Sequence, residues 1–195
     1  ISPWHDIPYR SNDSFHMVCE IPKWTRRKFE MSTDEPNHPI KQDISNGKPR
    51  VYTYGDMLFN YGFMPQTWED PNHVSADTGC PGDNDPLDMI EIGYMQMTIG
   101  QVSKVKIIGA LGMIDEGCTD WKIICIREND PRAKDIHSVL DISNEIHAIR
   151  HWFTHYKGAP STFAFNGECM DATFAARITN EVLLEKYRLD FQTVN

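Results

Sequence analysis

The sequence has 195 residues, 40% hydrophobic and 11% aromatic, which is enough to fill the core of one domain spanning residues 1–195. Its 28 acidic and 19 basic side chains leave a formal charge of −9, without the basic field that nucleic-acid binding needs, so DNA and RNA are not expected partners. No run approaches the ~20 apolar residues that cross a bilayer, no secretory signal pattern opens the chain, and the five cysteines are scattered without a Cys-x-x-Cys pair; these features exclude a membrane partner and predict a soluble, cytoplasmic protein with reduced thiols.

In chain order, the first two-thirds is punctuated by Pro and Gly, and the short apolar or alternating runs at 15–21, 49–54, 87–92, 103–114 and 120–126 read as strands. Five short strands with irregular connections predict a mainly β fold, a small closed or partly closed barrel whose strand ends and loops can build a site. The period then changes. Val139, Ile142, Ile146, Ile149, Phe153 and Tyr156 recur at steps of three and four, predicting an amphipathic helix that stops near Gly158 and Pro160. A second helix is predicted over 171–189, with Phe174, Ile178 and Val182 on its buried stripe, and both helices should flank the barrel wall.

The densest chemistry lies in Gly82-Asp83-Asn84-Asp85-Pro86-Leu87-Asp88, directly before the strand-like Met89-Ile90-Glu91-Ile92. In an extended backbone Asp83 and Asp85 point the same way and Asp88 can return to that side, so three carboxylates face one volume. Such a group repels itself unless hard cations sit within it, and oxygen-only ligation suits Mg²⁺, Mn²⁺ or Ca²⁺ better than zinc. A solvated acidic turn is the plainer reading of the same composition. A calcium EF-hand loop is excluded, because its sixth and twelfth positions here are Asp88 and Tyr94 in place of Gly and Glu. A second acidic group, Asp115, Glu116 and Asp120 with Lys122, falls at the turn between two predicted strands. Local spacing does not reveal whether distant cations such as Lys28, Arg50 and Lys157 join these acids.

The 82–88 segment resembles the D-x-D-P-x-D signature of family I soluble inorganic pyrophosphatases. The likeness extends through His5-Asp6-Ile7-Pro8, Val18-Cys19-Glu20-Ile21-Pro22-Lys23-Trp24-Thr25, Asn60-Tyr61-Gly62, Pro65-Gln66-Thr67-Trp68-Glu69-Asp70-Pro71 and Asp115-Glu116-Gly117 to Trp121-Lys122, in the order of the eukaryotic branch. The resemblance implies a five-stranded closed barrel of OB type with two C-terminal helices, Mg²⁺ as cofactor with Mn²⁺ as a substitute, pyrophosphate as substrate and a homodimer. It further implies that Asp83, Asp88 and Asp120 hold the first metal, with Asp88 bridging to a second, and that Asp115 and Glu30 help bind metals arriving with substrate. Asp85 is then the general base. Lys28, Arg50, Lys122, Tyr156 and Lys157 match phosphate-binding positions, Tyr61 an active-site tyrosine and Glu20 an active-site acid. One departure stands out: four residues before Tyr61 the family usually has another tyrosine, and this chain has Met57 after a shortened connection from Arg50, which predicts an altered pocket wall.

The implied site carries seven acids and four cations, so an anionic diphosphate of about −3 to −4 charge could enter only with several divalent cations. Two such cations can acidify a shared water for direct attack on phosphorus, with no covalent enzyme intermediate. Two rival readings remain: a non-catalytic OB-type binding module that has lost hydrolysis, favoured by Met57, and a broader phosphatase acting on nucleotides or polyphosphate. His147, His151 and His155, spaced by four on the first helix, read as a polar or dimer-facing stripe in place of a zinc ladder.

Overall fold

The computed structural model describes residues 1–184. Five strands carry the architecture: β1 (Ser14–Ile21), β2 (Asn60–Phe63), β3 (Asp88–Glu91), β4 (Val102–Asp115) and β5 (Cys118–Arg127). β1 pairs with β2, β2 with β3, β5 with β4, and β4 with β1, all antiparallel, while β3 and β5 run parallel. The pairing returns to its starting strand, so these five strands close a ring, as the sequence predicts. Closure needs a tight approach at Gly62, where a Cβ would lie 1.9 Å from the Val18 carbonyl oxygen.

Four of the five predicted strands are present, and the fifth differs. Residues 49–54 supply only Pro49 in a two-residue strand and a single bridge from Val51 to Arg27. Val51 and Tyr54 are exposed and Tyr52 is buried, so the apparent alternation there reflects one anchored ring in an irregular loop. The missing strand is β2, four residues long and interrupted by Gly62, too short for a periodicity to register.

Side-chain alternation divides the interior in two. On β5, Ile124 and Ile126 join one apolar cluster, whereas Trp121, Ile123 and Cys125 join the other. The first cluster is covered by helix α1 (Ser143–His155), which inserts Ile149, Trp152 and Phe153. α1 is preceded by a 3₁₀ turn, Val139–Ile142, whose Ser138 and Asp141 form a capping box. The second cluster is covered by helix α2 (Ala172–Glu181), capped by Asp171 accepting from the Phe174 N–H at 2.9 Å and burying Ala175 and Ile178. Of the predicted helix 171–189, the part to Glu181 is helical, Leu183 bridges to Thr67, and 185–189 lie outside the described residues. No helix among the described residues is long and apolar enough to cross a membrane.

Candidate active site

The face of the ring that carries the first cluster turns polar at one end. Alternation places Asp120 and Lys122 on the same face as Ile124, Asp88 on the same face as Ile90, and Asp115 on the same face as Leu111 and Met113. Register brings them together: Lys122 lies opposite Asp88 across the parallel pair, and Asp120 lies opposite Met113, one alternate position from Asp115. Glu116 and Gly117, both with positive φ, close the two-residue hairpin that fixes Asp115 beside Cys118. On β1 the register shifts between Cys19 and Ile21, leaving Glu20 as the extra residue of a bulge and directing it into the site. α1 ends at this pocket and delivers Tyr156 and Lys157.

The pocket holds about 290 Å³, and every site residue named from the sequence lines it: Glu20, Lys28, Glu30, Arg50, Tyr61, Asp83, Asp85, Asp88, Asp115, Asp120, Lys122, Tyr156 and Lys157. With Glu116 included, eight carboxylates face four cations there, a formal excess of four negative charges. A larger cavity of about 1080 Å³ opens beside Trp68 and α2, but it contains none of these residues. Charge convergence, and not size, marks the smaller one as the chemical centre.

Lys122 occupies the middle. Its side chain is 2% exposed, and its Nζ donates to Asp88 Oδ2 at 2.5 Å, to the Tyr61 hydroxyl at 3.0 Å and to Asp120. Burial works to lower its pKa, yet the Asp120 and Asp88 carboxylates outweigh burial and hold it raised. Tyr61 in turn donates to Asp88. On one wall Asp43 Oδ2 accepts from Arg50 at 2.9 Å and faces Lys28 at 3.5 Å, while Lys28 also pairs with Glu30. On the opposite wall Asp115 accepts from Lys157 and from the Tyr156 hydroxyl, the latter at 3.2 Å.

The 82–88 loop is a turn, not the extended segment expected. Asn84 takes φ 77° and the Asp85 N–H donates to Asp83 Oδ1 at 3.0 Å, because a short Asx side chain competes with extension. Asp83 and Asp85 still both reach the pocket. Crowding pushes their acidities apart from ordinary carboxylates: burial, then the Asp88 charge, raises Asp83 to about 6, and burial, Asp83 and Asp88 raise Asp85 to about 7. Asp120 and Glu20 are also raised by burial, with Asp88 adding to both.

Sequence reading missed three residues of this centre as individual functional groups. Asp43 orients Lys28 and Arg50, and no local motif marks it. Tyr52 lines the pocket, whereas Met57 is wholly buried in the apolar cluster and absent from the lining, so the altered wall expected at Met57 lies behind the surface. Glu69, within the quoted Pro65–Pro71 likeness, is the third. Its N–H donates to the Asp85 carbonyl and its carbonyl accepts from Asn84, both at 2.9 Å, and its Oε1 accepts from the Trp121 N–H at 3.1 Å. Oε2 is buried without a partner among the described residues. Oxygens of Glu69, Asp83 and Asp120 lie within 4.8 Å of one another. Burial, then Asp83 and Asp120, holds Glu69 well above its ordinary pKa. Clustered carboxylates and an orphaned carboxylate oxygen fit a hard divalent cation, for which Glu69, Asp83, Asp88 and Asp120 could supply oxygens. The three histidines are exposed along α1, on the face away from the pocket, as a polar stripe.

The sequence profile described as inorganic pyrophosphatase matches residues 17–187. The chain belongs to the inorganic pyrophosphatase family. It is 46% identical over 196 residues to an inorganic pyrophosphatase of Drosophila melanogaster, covering 93% of this chain and 58% of the fly protein. It is likewise 46% identical over 191 residues to one of Homo sapiens, covering 91% and 66%. The chain thus spans about three-fifths to two-thirds of these relatives' length. Among solved pyrophosphatases, an N-terminally truncated Trypanosoma cruzi vacuolar soluble pyrophosphatase in complex with PPi superposes with a TM-score of 0.91 at 44% identity, covering 100% of this chain and 80% of that one.

Proposed function

We propose that this chain is a divalent-cation-dependent hydrolase that converts pyrophosphate to two orthophosphates, working as one domain. The observation that carries the proposal is the meeting, at one end of the strand ring, of eight carboxylates and four cations drawn from segments that span residues 20 to 157. Family membership and the relative bound to PPi support the same substrate. When bound, Mg²⁺, or Mn²⁺ in its place, would supply positive charge and an acidified water.

The chain's own residues have complementary work. Asp83, Asp88 and Asp120, with Asp115 and Glu30, supply the cation-facing oxygens. Asp85, exposed at the rim and raised to about 7, accepts the proton of the attacking water near neutral pH. Arg50, Lys28, Lys122, Lys157 and the Tyr156 hydroxyl bind and orient phosphoryl oxygens, so that charge on the departing phosphate meets fixed donors. Tyr61 and Lys122 tie Asp88 to Asp120, and buried Glu20, accepting from the Met31 N–H at 2.7 Å, fixes the floor. The small pocket favours a diphosphate over a nucleotide. Orthophosphate release from pyrophosphate, tripolyphosphate and ATP in Mg²⁺ tests this: preference for pyrophosphate is expected, and equal rates on ATP would contradict it.

A cytoplasmic location and a homodimer belong to the same proposal. Five unpaired thiols support a reducing compartment. Exposed Trp24 and Tyr94 lie beside Lys23, whose Nζ sits 5.0 Å from the Trp24 ring and donates to the Gly93 and Tyr94 carbonyls, giving a second copy an apolar surface to which exposed Met95, next in sequence, adds. Sedimentation equilibrium reads the mass directly.

A further inference from the structure

Three tyrosines line the pocket, and two have their hydroxyls engaged: Tyr61 on Asp88 and Tyr156 on Asp115. The third, Tyr52, is 6% exposed, and its hydroxyl makes no hydrogen bond with the described residues. Its ring is held from several sides. Trp152 meets it edge-on with centroids 4.9 Å apart, Tyr156 at 6.0 Å, and the Tyr52 N–H donates to the Arg26 carbonyl at 2.7 Å. Trp152 is itself tied to the same loop through Nε1 and the Asp56 carbonyl at 3.1 Å. A phenol so fixed keeps its hydroxyl at the pocket wall, where an oxygen of a bound ligand can meet it.

The charges around that hydroxyl define what would complete it. Lys122 and Arg50 are cations of the same pocket and Asp88 and Glu20 carboxylates of it, and all four act electrostatically on the phenol. Burial, with those carboxylates, keeps the phenol protonated despite the two cations, so it acts as an O–H donor over the whole neutral range. A donor beside two cations suits an anionic oxygen. We propose that the Tyr52 hydroxyl is a substrate-contacting group of this site, donating a hydrogen bond to a phosphoryl oxygen held by Lys122 and Arg50. The inference rests on pyrophosphate as the substrate. Met57 packs in the apolar cluster beneath, and Tyr52 is the third phenol on the pocket wall.

Y52F tests it, because the change removes one oxygen and keeps the packed ring. A hydrogen bond to a charged acceptor predicts a fall in kcat/KM for Mg²⁺-pyrophosphate of about 10-fold or more. Methylenediphosphonate, which cannot be hydrolysed, should bind about 10-fold more weakly by calorimetry. Thermal stability should hold, since the ring and its packing are kept. Y54F, which alters the exposed tyrosine on His151, serves as the control and should match the wild type. Values for Y52F within twofold of wild type in both assays would overturn the proposal, as would a drop in Tm large enough to account for lost activity. Wild-type protein that releases no orthophosphate would defeat the proposed function instead. Analogue affinity then decides Tyr52 alone: a weaker Kd in Y52F sustains the contact, and equal or absent binding overturns it.

Discussion

Asp85 shows how a single residue's surroundings set its chemistry. It follows a turn that points it at the rim, and burial with two carboxylate neighbours raises it to about 7, the range in which a general base is most useful. D85N should therefore lower kcat by about 10²–10⁴-fold, read in a steady-state phosphate-release assay, without unfolding the protein. The same shift has a stability consequence of definite sign. Asp83 and Asp85 titrate in the folded protein at about 6 and 7, above the ~3.9 of an unfolded aspartate, so folding favours their protonated forms. The stabilisation they give is full below about pH 4 and is lost as pH rises through 6 and 7. In EDTA, their contribution should lower the Tm as pH rises from about 4 to about 7, less steeply in D85N, with the exposed position of Asp85 moderating its share. Glu69 is a different case at this scale. With one oxygen on the Trp121 N–H, the other unpartnered among the described residues, and the carboxylate clustered with Asp83 and Asp120, E69Q should weaken Mn²⁺ binding by about 10-fold or more in calorimetry of the substrate-free protein. The acidic motif was legible because its members are adjacent in sequence. Asp43, Glu69 and Tyr52 were not individually legible, because each acquires its role only from partners that lie distant in the chain.

At the scale of elements, two segments have to meet closely for the carboxylates to converge. Residues 82–85 run against residues 69–70 through paired backbone hydrogen bonds, and a Cβ on Gly82 would lie 2.3 Å from the Glu69 carbonyl carbon and oxygen. Because the obstacle is backbone, it cannot rotate aside. G82A should destabilise the protein by about 1–3 kcal/mol in thermal or urea melts and weaken cation binding with it. The longer elements were readable for ordinary reasons. β4 and β5 carry sustained apolar runs, and α1 repeats its buried residues at helical spacing. β2 escaped because four residues with a central glycine carry no period, while 49–54 imitated a strand through a single buried ring. The turn at Asn84 was equally hidden, since an Asx turn and an extended segment can share one composition.

For the molecule as a whole, ring closure is what turns scattered charge into a site. Parallel pairing of β3 with β5 sets Asp88 against Lys122, the β4–β5 hairpin adds Asp115 and Asp120, the β1 bulge adds Glu20, and α1 brings Tyr156 and Lys157 to the same end. Sequence patterning predicted a small barrel with two flanking helices, and the family resemblance predicted which residues would gather. Composition alone could do neither, because an acidic surplus of this size is compatible with a plain solvated surface. The gathered pocket carries a formal excess of four negative charges, so an anionic substrate depends on added cations to enter. The most direct test is orthophosphate release from pyrophosphate by the wild-type chain, measured in Mg²⁺, after EDTA, and after Mg²⁺ is restored. Rapid release that stops on chelation and returns with the metal is the predicted result; a rate indifferent to chelation, or no release in Mg²⁺ from folded protein, would contradict the account.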